Sequence, residues 1–345
     1  MQHTWRQRLP LALLTAGCLA AVTACGAQTA VETPSGAAAT ATSPAASSPP
    51  AEATAFPLTI SNCDLEVTFE QTPARIVSMN DHVTEVLLAL GAGDRIVGMG
   101  YADATPLPEF AEEWKKIPAL GDPYATKEQL LDAEPDLVVG GMTSAFSEDE
   151  GRSRESLQQA GINTFKFTEY CGRNFSLDLL AEDYRQLGQI LGVPDKAEAL
   201  VASVVDPLEQ IAQQVSAAEP VPTFLYDSGD ADPVTVGGTG VGQLITSYAG
   251  GANIYSEGER PYLATTWETI VERNPQAILV LDYGETTAEQ KIEFLKNQPL
   301  LKQTDAVKND RFIALPLDDF FESPRLVRSV RTLAHFLHPE LVPAP

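Results

Sequence analysis

Basic residues are scarce in this chain. Lys and Arg number 23 against 47 Asp and Glu, a formal net charge of −24 over 345 residues. Phosphate backbones demand clustered cations, so DNA and RNA are excluded as partners, and charge-driven adhesion to anionic lipid goes with them. Histidine is rarer still, at four. Three remain beyond the N-terminal segment, His82, His335 and His338, and the one close pair lacks a third ligand nearby, which disfavours a bare-metal site. Enzyme signatures are missing too: there is no Gly-x-Ser-x-Gly elbow, no Walker loop and no Cys-x-x-Cys. Gly238-Thr239-Gly240-Val241-Gly242 is a glycine-rich turn before a helix, but its spacing is not that of a dinucleotide fingerprint. Nor is there an apolar run long enough for a membrane span, which needs roughly 20 residues.

What is present begins with an address. Residues 1–24 read as a signal peptide, with Arg6 and Arg8 ahead of a short apolar stretch from Leu11 to Val22. Val22-Thr23-Ala24-Cys25-Gly26 then resembles the bacterial lipobox, which implies a lipid-modified Cys25. An ordinary cleavage site is the alternative. Cys18 follows Thr15-Ala16-Gly17 and lacks the aliphatic residue such a signal carries. Residues 25–56 are almost all Ala, Thr, Ser, Pro, Gly and Glu, a disordered tether that would keep a folded body near the membrane. These features place the protein outside the cell, anchored to the outer face of the bacterial cytoplasmic membrane. In that oxidising compartment Cys63 and Cys171 are expected to bridge, with two separate thiols as the alternative.

An apolar share of 44% suffices for a sizeable core. From residue 57 strands and helices alternate, the signature of an α/β fold with largely parallel sheets. Strand-like runs fall at 75–79, 95–99, 137–140 and 164–167, with helical segments at 83–90, 128–133 and 153–160 between them. The order restarts after residue 220, with strands at 223–226, 277–281 and 313–315 and helices at 241–248, 267–272 and 324–337. One match is specific. Lys127-Glu128 to Pro135-Asp136 pairs with Trp267-Glu268 to Pro275-Gln276, each Glu preceding a Pro by seven residues and then an apolar strand. Between the halves, residues 194–219 carry apolar positions at helical spacing, from Ala197 through Leu208 to Val215. Pro207 inside the pattern predicts a kink or a split. The expected architecture is two pseudo-symmetric lobes, 57–193 and 220–345, joined by one long interlobe α-helix of roughly 39 Å.

Thr72-Pro73-Ala74-Arg75-Ile76-Val77-Ser78, Thr84 to Gly91, Glu134-Pro135-Asp136-Leu137-Val138-Val139 and Ser323-Pro324-Arg325 together resemble the helical-backbone class of ABC-transporter substrate-binding proteins. That class serves iron–siderophore, haem and cobalamin uptake. The resemblance covers nearly all of residues 58–340. It implies a non-enzymatic monomer that carries a small metal complex to a permease dimer with its ATPase subunits. It also implies that Glu128 and Glu268, one per lobe, dock on permease arginines. A matching pair of carboxylates suits a two-fold partner. Each is otherwise a favourable anion near a helix N-terminus.

Ligands in open α/β sheets sit beyond the carboxyl ends of strands. In the first lobe those loops offer Asn80, Asp81, His82, Tyr101, Tyr124 and Phe146. In the second they offer Tyr226, Ser228, Tyr262, Tyr283, Asp319, Phe320 and Arg325. The aromatics would hold a flat or bulky ligand by stacking. The acids among them, Asp81, Asp227, Asp318 and Asp319, suit a neutral or cationic complex. Anionic catecholates call for arginines, and the candidates are few: Arg260, Arg325 and Arg328. A ferric hydroxamate is therefore the expected ligand, without a resident cofactor or protein-bound metal. Cobalamin is the first alternative. Haem, through a Tyr or His82, is the second. A surface lipoprotein with an interaction role is the rival from another class, though nothing in a two-lobe repeat calls for a partner-sized apolar face.

Overall fold

The computed structural model describes residues 54–345, apart from 103 and 173. The signal peptide, Cys18, Cys25 and the tether up to residue 53 lie outside the described residues. No helix among those described is long and apolar enough to cross a membrane.

The chain opens with a hairpin that the strand pattern above does not include, β1 (Leu58–Asn62) and β2 (Leu65–Phe69), paired antiparallel. Its inward residues Ile60, Val67 and Phe69 are buried while the outward ones face solvent. Then come β3 (Ile76–Ser78), α1 (Asp81–Ala89), β4 (Ile96–Met99) and the short α2 (Ala111–Trp114). After them run α3 (Lys127–Asp132), β5 (Leu137–Gly140), α4 (Arg154–Gln159) and β6 (Asn163–Lys166). These strands form a fully parallel sheet in the order β4-β3-β5-β6. Asn62 extends this sheet with its side chain. Its amide donates to the Lys166 carbonyl at 2.9 Å and accepts from the Lys166 N–H at 2.8 Å, as a neighbouring strand would.

Two helices follow, α5 (Leu177–Leu191) and α6 (Pro194–Val215). The first is absent from the expected helices, although Ser176 caps its start and the left-handed Gly192 its end. The second is the expected interlobe helix with its end corrected. It ends at Val215 rather than 219, where the Ser216 hydroxyl donates to the Gln213 carbonyl at 2.8 Å and Pro220 and Pro222 prevent continuation. Its 22 residues measure about 33 Å. It is also one helix through Pro207. Pro207 is half-buried and Ser203, whose carbonyl loses a partner, is exposed, so water can satisfy that carbonyl.

The second lobe contains β7 (Val221–Ser228), β8 (Val234–Val236), α7 (Val241–Tyr248), β9 (Gly251–Asn253) and β10 (Tyr262–Ala264). It continues with α8 (Trp267–Arg273), β11 (Ala277–Asp282), α9 (Ala288–Asn297), α10 (Asp305–Lys308), β12 (Phe312–Pro316) and α11 (Leu326–Leu337). Its parallel strands run β9-β7-β11-β12. By order of appearance that is second, first, third, fourth, the same order as the first sheet. The antiparallel strands β8 and β10 are an addition along the far half of β7.

The repeat extends to single bonds. α3 and α8 each connect the second parallel strand to the third, and each is capped by a threonine, Thr126 or Thr266. Each ends on a left-handed residue just before proline, Glu134 or Asn274. The Asp136 N–H then donates to Arg75 O at 2.9 Å, and the Gln276 N–H to Pro222 O at 2.8 Å, tying each turn to the first strand of its sheet.

Both faces of each sheet are covered, which is why β5 and β11 are unbroken apolar runs. Val77, Leu130 and Leu157 pack on one outer face, and Phe224, Trp267 and Ile278 on the other. The inner faces share one core with the helices between them, including Val139, Leu187, Val204, Leu208, Leu279 and Leu333. The lobes are thus two sheets on one continuous apolar base.

Candidate ligand-binding site

A cavity of about 620 Å³ opens between the lobes. Glu169, Tyr170, Gly172 and Asn174 form its first-lobe wall, all in the connection between β6 and α5. Gly238 and Thr239, ahead of α7, and residues 256–261, after β9, form the second-lobe wall. Both walls therefore lie beyond strand carboxyl ends, as expected for this class of sheet.

The first-lobe wall is held from behind. Cys63, in the β1–β2 turn, is bonded to Cys171 across 108 residues, with Cα atoms 5.5 Å apart. The Lys166 ammonium donates to the Tyr170 carbonyl at 2.9 Å. Glu169 reaches across to the other lobe and accepts the Val241 N–H at the start of α7, at 3.0 Å. Gly240 permits this approach, because a Cβ there would stand 2.9 Å from Glu169 Oε1. Burial pushes the Glu169 carboxyl up to about 8, against the lowering effect of the Val241 bond. Burial also pushes the Tyr170 phenol far up, helped by Glu169, Tyr262 and Tyr124. The Tyr262 phenol moves the same way, through burial and then Glu169, Asp227 and Tyr283.

The lobes are clamped beneath the cavity. Arg325 donates to Glu85 through Nε at 2.7 Å and Nη2 at 2.6 Å, and to the Thr105 carbonyl at 2.6 Å. The His82 ring stacks on Phe321 with centroids 4.6 Å apart. A second buried pair joins α5 to the segment before α11. Asp183 accepts from the Thr168 N–H and hydroxyl, at 2.7 and 2.9 Å, and the Glu322 carboxyl lies near enough to bear on its charge. Burial and the neighbouring Asp183 charge push Glu322 well above the carboxylate range. Among the described residues no donor reaches Asp183 Oδ1 or either Glu322 oxygen, so nothing offsets the cost of burying charge on this pair.

Of the residues expected to line the cleft, five remain accessible. Tyr101, Tyr124, Ser228 and Tyr262 are half-buried and Tyr283 is exposed. Tyr101 and Tyr124 stand together, ring centroids 5.1 Å apart, and the Tyr124 hydroxyl meets Ser144 Oγ at 2.8 Å. The other eight expectations need correction as direct ligand contacts, because folding consumes those side chains. Asn80 is fully buried, bonded to the Tyr124 hydroxyl and the Gly141 N–H. Asp81 accepts from the His82 N–H, and Gly141 leaves no room beyond the His82 ring. Phe146, Tyr226 and Phe320 pack into the cores. Asp319 binds Arg328, Nε at 2.9 Å, while Arg325 is spent on Glu85.

Of the cavity walls, only Arg260 is among the residues the sequence points to. Glu169 and Tyr170 follow β6 in a loop without a motif, and the Gly238 to Gly242 turn has a spacing that matches no ligand fingerprint.

Two separate sheets of matching order, a helical link and an interlobe cavity define the fold. The periplasmic binding protein family matches residues 76–318. The chain belongs to that family. It is a solute-binding component of an ABC transporter acting outside the cytoplasm, and not an enzyme. The uncharacterized ABC transporter substrate-binding lipoprotein YvrC of Bacillus subtilis is 28% identical over 83% of this chain and 87% of its own. The vitamin B12-binding protein of Vibrio campbellii is 24% identical over 68% and 81%. A periplasmic binding protein from Veillonella parvula superposes with a TM-score of 0.73 at 26% identity, covering 83% of this chain and 98% of its own.

Proposed function

We propose that this periplasmic binding protein captures a neutral or cationic ferric hydroxamate and delivers it to a two-fold symmetric permease. One observation carries the reading: Glu169, Glu257, Glu259 and the Tyr170 phenol wall the interlobe cavity against a single arginine, the exposed Arg260, while Arg325 and Arg328 are engaged by Glu85 and Asp319. Haem is disfavoured on the same geometry. Phenols pushed upward resist becoming iron-ligating phenolates, and His82 is walled in by Phe321 and Gly141. Cobalamin remains the second reading, supported by the vitamin B12-binding relative and by half-buried Tyr262 in the strand leading to α8.

Delivery falls to Glu128 and Glu268. Each is exposed and second in its capped helix, α3 or α8, at matching places in the two sheets. A lipidated Cys25 and its tether would hold the body near the permease. The test is uptake set beside binding. Replacing both glutamates by Ala, or Cys25 by Ser, should cut uptake of a labelled ferric hydroxamate at least tenfold in cells. The purified Glu128→Ala/Glu268→Ala protein should bind ligand with unchanged affinity. A fall in its affinity would remove the docking role, and tighter binding of cyanocobalamin than of any hydroxamate would replace the ligand.

A further inference from the structure

Glu169 is only 5% exposed, yet no cation among the described residues pairs with it. Its Oε1 takes the Val241 N–H, and among the described residues no other hydrogen bond reaches the carboxyl. Tyr170 shares the cavity wall, and Tyr262 stands near enough for each phenol to bear on the other and for Glu169 to bear on both. Neither phenol hydroxyl has a hydrogen bond among the described residues. A carboxyl group flanked by aromatic rings is the arrangement that recognises organic cations, through charge and the negative faces of the rings.

The surroundings point the same way. Glu259 adds a carboxylate to the opposite wall, while Glu257 there is paired with Arg273 at 2.5 Å. Arg260 is exposed at the rim. Lys166 faces this segment but is bound to the Tyr170 carbonyl and Thr143. Behind Glu169, the Glu322–Asp183 pair adds negative charge only.

We infer that Glu169, Tyr170 and Tyr262 form a seat for an organic cation, and that the natural ligand enters it with an alkylammonium group. This deepens the solute-binding reading and rests on it. The empty carboxyl holds a proton at neutral pH, since burial has raised it to about 8. A seated cation restores the charged form and expels that proton. Affinity for a cationic ligand should therefore climb with pH up to about 8 and then level off.

Calorimetry on the wild-type protein and Glu169→Gln tests the seat. The amide of the variant can still accept the Val241 N–H. The probes are ferric desferrioxamine B, a trihydroxamate with a pendant ammonium, and its neutral N-acetyl derivative. The wild type should prefer the ammonium form by about tenfold and release close to one proton at pH 7, read from heats in two buffers. In Glu169→Gln the preference and the proton release should vanish. Equal preference in both proteins, or none in the wild type, overturns the seat. Failure of both chelates to bind overturns the hydroxamate reading instead. Tetramethylammonium then decides the seat alone: it should raise the melting temperature of the wild type, and not of Glu169→Gln, above sodium chloride at equal ionic strength. No difference overturns it.

Discussion

Arg325 shows how a side chain that looks free in a sequence is spent by folding. Its guanidinium could have met an anionic ligand, but Glu85 lies 240 residues away along the chain and beside it in space. Glu85 is almost fully buried and also accepts the Leu107 N–H at 2.9 Å. Removing one partner of such a pair leaves a buried charge uncompensated, which costs about 3–5 kcal/mol. Arg325→Ala should lose stability on that scale in urea melts. Glu85→Gln combined with Arg325→Met should recover much of it, because the unpaired charge is gone. A loss under about 1 kcal/mol for the single variant would show the pair is no clamp. Both partners sit in segments that carried the family resemblance, Thr84 to Gly91 and Ser323-Pro324-Arg325, so a motif legible in sequence proves to be one half of an interlobe bond.

Among elements, the legible ones were those with a long period or a capped end. α3, α8 and the apolar β5 and β11 stand where their patterns put them. β8, β9 and β10 have three residues each, too few for alternation to register. The β1–β2 hairpin does alternate, and α5 carries cap and periodicity, so both could have been found. The hairpin matters because its turn holds Cys63, which braces the wall bearing Glu169 and Tyr170 through Cys171. Closing a loop of 108 residues contributes on the order of 4–5 kcal/mol in the chain-entropy model. A reducing agent should lower the urea midpoint accordingly and weaken ligand binding along with it. Unchanged affinity after reduction would mean the wall keeps its shape without the bridge.

At the scale of the whole molecule, three buried carboxyl groups gather where the lobes meet, and they link stability to pH. Burial raises Glu169 to about 8, Asp183 to about 7 and Glu322 well above the ordinary carboxylate range. The folded protein thus keeps protons that the unfolded chain sheds near pH 4–5. Stability from these groups is full below that range and declines as pH climbs through 5 to 8, by about 1.4 kcal/mol per pH unit for each proton held. Glu112, Glu198, Glu257 and Glu289 are shifted downward, but all are exposed and titrate below this window. The urea midpoint should be higher at pH 5.5 than at pH 8, and Glu322→Gln should flatten the slope. A midpoint that rises with pH across this window would show that the junction carboxyls are ionised in the folded state.

The chain order alone announced a repeated α/β plan, a connecting helix and the paired glutamates, because periodicity, caps and prolines act between near neighbours in sequence. Which loops converge on the cavity, and which arginines are left for a ligand, depended on packing across hundreds of residues. Burial then ranked the candidates. It drew His82 and Arg325 into interlobe contacts and Asn80 into bonds within the first lobe, and left Glu169 and Tyr170 lining the cavity between the lobes with Tyr262 near them. Desolvation and long-range pairing have no local signature, so those assignments had to wait for the folded chain.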